Sequence, residues 1–122
     1  MPPNFTKIHE DKRGAIYLIQ DLLGDNKEIN LLEIKKGYAR GGCYHSNNEN
    51  FVVIKGKVKF ICGDKEKKVS KGESGEIPAF QPHAFIALED SIVSEWGITT
   101  EEKEKDTKDP KLREIIDKIN NK

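Results

Sequence analysis

Short strand-forming runs broken by turns fill the N-terminal two-thirds of this chain and leave little room for any fold but an all-β one. Ala15 to Gln20 is rich in bulky, strand-forming residues. Asp25-Asn26 signals a turn before Glu28 to Ile34, and Gly37 ends that run. Phe51 to Ile54 is apolar and β-branched and stops at Lys55-Gly56. Lys57 to Cys62 alternates polar with apolar, which predicts one wet face and one buried face. Gly63-Asp64 turns the chain into Lys65 to Ser70, polar enough to predict an edge strand. Glu76 to Pro78, Ala84 to Leu88 and Ile92 to Trp96 follow. Many short strands with frequent glycine turns predict a sandwich or barrel.

The last part changes character. Thr99 to Asp109 is charged and carries no apolar period, so it reads as a linker. Asp109-Pro110 then predicts a helix start, with Asp109 as N-cap and Pro110 in the first turn. Leu112, Ile115, Ile116 and Ile119 form one apolar stripe, which predicts packing on the barrel or on a partner subunit. The expected division is therefore a barrel over 1–98 and a charged linker with an amphipathic helix over 99–122.

Composition narrows the function. The 122 residues suit one domain, and 21 basic residues balance 21 acidic ones. A neutral chain has no general field to draw in nucleic acid or an anionic membrane. No apolar stretch suggests a signal core or a membrane span, so the expected setting is the cytoplasm, with Cys43 and Cys62 as reduced thiols. A small barrel with polar edges and an apolar helix has surface to cover, so a homodimer is expected.

Chemistry concentrates in two blocks, around Cys43, His45 and Glu49 and around His83. Cys43 and His45 are two apart, so a strand presents both to one face. A turn at Ser46-Asn47-Asn48 folds Glu49 back beside them, and Pro78 with Gln81-Pro82 delivers His83 to the start of a later strand. Imidazole, thiolate and carboxylate all bind first-row divalent ions. Arg40 suits a phosphate or carboxylate at the barrel mouth. Phe51, Phe80 and Phe85 are expected to line the interior, with Tyr38 and Trp96 packing at its rim.

These two blocks resemble the paired motifs of the cupin superfamily. The first, G-x5-H-x-H-x3-4-E-x6-G, is matched by Gly37, Cys43, His45, Glu49 and Gly56, with Cys43 in place of the first His. The second, G-x5-P-x-G-x2-H-x3-N, is matched by Gly72, Pro78 and His83, with Phe80 and Ala87 in place of the second Gly and the Asn. The resemblance implies a double-stranded β-helix, or jelly roll, with a short C-terminal α-helix. It also implies that Cys43, His45, Glu49 and His83 ligate a divalent metal ion. A thiolate at Cys43 would favour Zn²⁺, with Fe²⁺, Ni²⁺ or Mn²⁺ as alternatives. A narrower similarity lies in Arg40 to His45, in Leu88 to Ser91 and in Glu95-Trp96. Such segments resemble those of cupins acting on nucleotide sugars, including sugar 3,4-ketoisomerases and the cupin domains of capsular-polysaccharide enzymes. In the ketoisomerases two His of this segment act as acid and base without a metal, and the first is Cys43 here. The resemblance implies isomerisation or epimerisation of a sugar or nucleotide sugar, with Glu49, His83 or Tyr38 moving the proton and Arg40 binding substrate. An Fe²⁺ dioxygenase and a non-catalytic small-ligand binder are the alternatives.

Overall fold

The computed structural model describes residues 4–21, 27–99, 102 and 107–122. Eleven strands are formed within them: β1 (Asn4–Asp11), β2 (Gly14–Gln20), β3 (Glu28–Ile34), β4 (Ala39–Tyr44), β5 (Glu49–Lys55), β6 (Lys57–Cys62), β7 (Lys65–Ser70), β8 (Ser74–Ile77), β9 (His83–Ala87), β10 (Ser91–Trp96) and β11 (Thr107–Lys108). One helix, α1 (Pro110–Asn120), follows. The strands make two antiparallel sheets, ordered β1-β2-β3-β10-β5-β8 and β11-β4-β9-β6-β7. This is the expected jelly roll with a short C-terminal helix. The predicted turn at Asp25-Asn26 lies outside the described residues, as does part of the predicted 99–109 linker. No described helix is long and apolar enough to cross a membrane.

Alternation along each strand builds the core. Val58 and Phe60 of β6, Phe85 and Ala87 of β9, and Phe51 and Val53 of β5 point between the sheets and are buried. Three rings meet there, with Phe51 4.6 Å from Phe60 and 5.0 Å from Phe85, centroid to centroid. Gly75 of β8 makes room for them, since a Cβ there would lie 2.7 Å from the Phe51 ring. β7 is the edge strand its sequence predicts, with only Val69 buried.

The apolar stripe of α1 covers the outer face of the second sheet. Leu112 and Ile116 pack on Ala39 and Ala84, with Ile119 beside them, while Ile115 is exposed. Asp109 caps the helix by accepting from the Leu112 N–H at 2.9 Å. Just before it, β11 adds to β4, Thr107 opposite Tyr44 and Lys108 opposite Cys43, so this part of the predicted linker is sheet.

Of the three phenylalanines expected to line the interior, two do and one does not. Phe51 and Phe85 are interior, but Phe80 is 63% exposed and sits at φ 65°. A left-handed turn between Pro78 and His83 throws its ring outward, away from the core.

Candidate metal centre

β4 carries a bulge that decides which side chains enter the barrel. Its pairing with β9 shifts between Gly41 and Cys43, so Gly42 is an extra residue. Arg40, paired with the inward Phe85, faces inward. Counting by twos from Arg40 would turn Cys43 and His45 outward. The bulge reverses the phase, and Arg40, Cys43 and His45 all line one cavity. Gly42 adopts φ 92°, and a side chain there would run into Arg113 and Ile116 of α1. The helix region satisfies the bulged carbonyls: Arg113 donates to Gly41 O at 2.9 Å and the Asp109 N–H to Gly42 O at 2.8 Å.

Three donors converge just beyond the bulge. His45 follows β4, Glu49 opens β5 and His83 opens β9. One ligand atom from each lies within 4.8 Å of the others. The His45 and His83 Nε2 atoms stand 3.5 and 3.9 Å from Glu49 Oε1, and the two rings are 4.8 Å apart. The connecting loops are tied down. Phe80 N–H donates to His45 O at 2.7 Å, and Ala79 N–H donates to Asn48 Oδ1 at 2.8 Å. His83 Nδ1 lies 3.2 Å from Gln81 O. A carbonyl only accepts, so this contact puts a ring proton on Nδ1 and turns Nε2 toward Glu49.

The donor set fits a divalent ion. Glu49 is fully buried, and a carboxylate excluded from water is costly unless positive charge is shared with it. Two imidazoles and one carboxylate are ligands for Zn²⁺, Fe²⁺ and their neighbours. Cys43 lies outside this three-donor group, on the wall of the same cavity. Its strand position is opposite His83, which has Cys62 opposite on its other side. Cys43 and Cys62 form no disulfide. Burial raises the pKa of the Cys62 thiol, consistent with a packing role beside the core.

The cavity holds about 240 Å³. Ile16, Leu32 and Phe85 give it an apolar wall. Arg40 is 4% exposed, and its Nε and Nη2 donate to Glu33 O at 3.1 Å and Gly14 O at 2.8 Å. Its pKa falls to about 10, chiefly through burial and then through the nearby Arg13 cation, so it stays charged near neutrality. Arg13 is in turn held by Asp11, at 2.6 Å from Nη2 and 3.0 Å from Nε. Glu95 of β10 is 5% exposed and enters the cavity from the facing sheet. Arg13 and Glu95 were not among the sequence candidates. The signal for Glu95 is its phase: it keeps step with the buried Val93. Tyr38 is elsewhere. It precedes β4 at the end that pairs with the last residues of β9, packs at the core margin, and has Lys122 Nζ 5.0 Å from its ring.

Comparison with known proteins places this geometry in a family. A family model described as a cupin domain matches residues 30–96, more than half of the chain. The capsular polysaccharide assembling protein CapF from Staphylococcus aureus shares the fold, with TM-score 0.65 and 23% identity over 83% of this chain and 31% of that one. Bacillus subtilis oxalate decarboxylase, a protein with Mn(II) centres, gives TM-score 0.71 and 17% identity over 86% of this chain and 30% of that one. A variant of salicylate 1,2-dioxygenase from Pseudoaminobacter salicylatoxidans gives TM-score 0.55 and 14% identity over 57% of this chain and 21% of that one. This chain thus spans under a third of each of these proteins. No curated protein matches it by sequence. With two sheets in jelly-roll order and the family model across both motif blocks, the chain belongs to the cupin domain family.

Proposed function

We propose that this cupin binds one divalent metal ion and acts on a sugar or nucleotide sugar, by isomerisation or epimerisation. The observation that best supports this reading is the convergence of His45, Glu49 and His83 on a cavity that also holds a buried Arg and a second carboxylate. A bound divalent ion would supply Lewis acidity, polarising a substrate carbonyl or hydroxyl oxygen. Arg40 anchors an anionic group of the substrate, and Ile16, Leu32 and Phe85 keep water from the reacting carbon. Movement of the proton α to the carbonyl falls to a cavity side chain. Glu49 and His83 are candidates where they are not ligands, and Glu95 is the carboxylate outside the donor group. Tyr38 packs at the other end of β9, so we assign it no proton.

Cys43 is proposed as a fourth donor on the strength of its motif position, and in that case Zn²⁺ is the favoured ion. With His45, Glu49 and His83 alone, Fe²⁺, Mn²⁺ and Ni²⁺ fit equally well. Elemental analysis of untagged protein, stripped with chelator and reloaded with each ion, tests the centre. Stoichiometric uptake is expected, and failure to take up any of the four would exclude it. Cys43→Ser should lower Zn²⁺ affinity if sulfur is a ligand and leave it unchanged if not.

A second reading follows from the three-donor group, which leaves positions for O₂ and substrate: an Fe²⁺ dioxygenase. Oxygen uptake by iron-loaded protein with diketones or phenols would favour it over isomerisation. We also propose a homodimer, because β1 is the outermost strand of its sheet and exposes Phe5 and Ile8. Light scattering that returns only a 13.8 kDa species would rule the dimer out.

A further inference from the structure

We propose, resting on the reading of this cavity as the substrate site, that its ligand is a compact hydroxy acid seated in the barrel cavity, with its carboxylate on Arg40 and a hydroxyl on Glu95. A sugar acid or a shorter 2-hydroxy carboxylate fits that description, and a nucleotide conjugate does not. Size comes first. At about 240 Å³ the cavity is below the roughly 300 Å³ at which pockets begin to enclose drug-sized ligands. A six-carbon acid fits inside, whereas a nucleotide would have to remain outside.

Charge comes second. Arg40 is held rigid by Glu33 O and Gly14 O through Nε and Nη2. Its Nη1 makes no hydrogen bond among the described residues, and Arg40 lines the cavity. A fixed, buried guanidinium with a spare donor recognises a carboxylate by geometry as well as by charge. Glu95 enters from the other sheet and is nineteen-twentieths buried. As a carboxylate it accepts from hydroxyls and repels an anion, so the two side chains orient a hydroxy acid in one sense. Ile16, Leu32 and Phe85 face its C–H surface.

Calorimetric titration of metal-loaded protein with D-glucuronate, L-lactate, D-glucose and UDP-glucuronate tests this. Glucuronate should bind at least tenfold more tightly than glucose, and UDP-glucuronate no more tightly than glucuronate. Equal affinity for glucose and glucuronate, tenfold tighter binding of UDP-glucuronate, or no binding of either free acid would each overturn the proposal. Arg40→Lys keeps the charge and loses the fork, so glucuronate affinity should fall about tenfold while metal uptake holds. Ile16→Trp fills the cavity from an incompletely buried position. It should abolish glucuronate binding with metal uptake intact, and retained binding would place the ligand elsewhere and sink the idea. Anion preference in protein that takes up no metal would overturn the metal reading and leave this one standing.

Discussion

Glu49 is wholly enclosed beside two imidazoles, so replacing it with its neutral isostere separates the ion from the fold. Glu49→Gln should weaken metal binding by at least the roughly 10–100-fold that loss of an outer-sphere partner costs. The metal-free variant should melt no lower than metal-free wild type, because a buried charge has been removed. Metal titration and thermal melts with and without chelator check both. Asp11 makes a pH prediction. Hydrogen bonds from Arg13 hold its carboxyl well below the usual carboxylate range. A folded pKa below the unfolded value of about 3.9 gives stability that is present at neutral pH and drains away as pH falls below about 4. Asp11→Asn should therefore be less stable than wild type at pH 7, with the gap narrowing at pH 4 and further at pH 2 in urea titrations. His45, Glu49 and His83 were legible in the sequence because ligand types recur at fixed spacings around turns. Arg13 was not, because what marks it is its pairing with Asp11 and its place on the cavity wall, while Glu95 carried only its phase with Val93 and its place in the Glu95-Trp96 segment.

Among the elements, most strands were legible because one face is wet and the other dry. β1 was not: from Phe5 to Glu10 every residue is exposed, so no alternation betrays it. The bulge in β4 was the costlier omission. The Gly41-Gly42 pair looks like a loosening of the chain, yet it sets the phase that brings Arg40 and His45 to one cavity. Gly42→Ala should cost about 1–3 kcal/mol, since it combines a left-handed backbone with a side chain driven into Arg113 and Ile116. The same variant should bind metal more weakly, because the residues displaced lead directly into His45. Denaturant midpoints and metal titration of one preparation read both effects.

At the scale of the whole molecule, the jelly roll was readable because many short strands, glycine turns and two ordered motif blocks leave few alternatives. The position of the helix was not, since an apolar stripe does not say what it covers. It covers Ala39 and Ala84, and β11 stitches the preceding segment to β4. Ile116→Ala should cost about 2–5 kcal/mol of unfolding free energy, measured in urea, because Ile116 is almost fully buried against that sheet. The bulged carbonyls of β4 are held by the Asp109 N–H and by Arg113, and β4 ends beside His45. An ion held by His45, Glu49 and His83 would link its own binding to docking of the C-terminal segment through β4, and linkage is reciprocal. Whatever free energy the ion adds to helix docking, docking returns to ion affinity. Amide hydrogens of α1 should exchange faster after chelation, and by a factor that matches the loss of metal affinity when α1 is undocked by mutation.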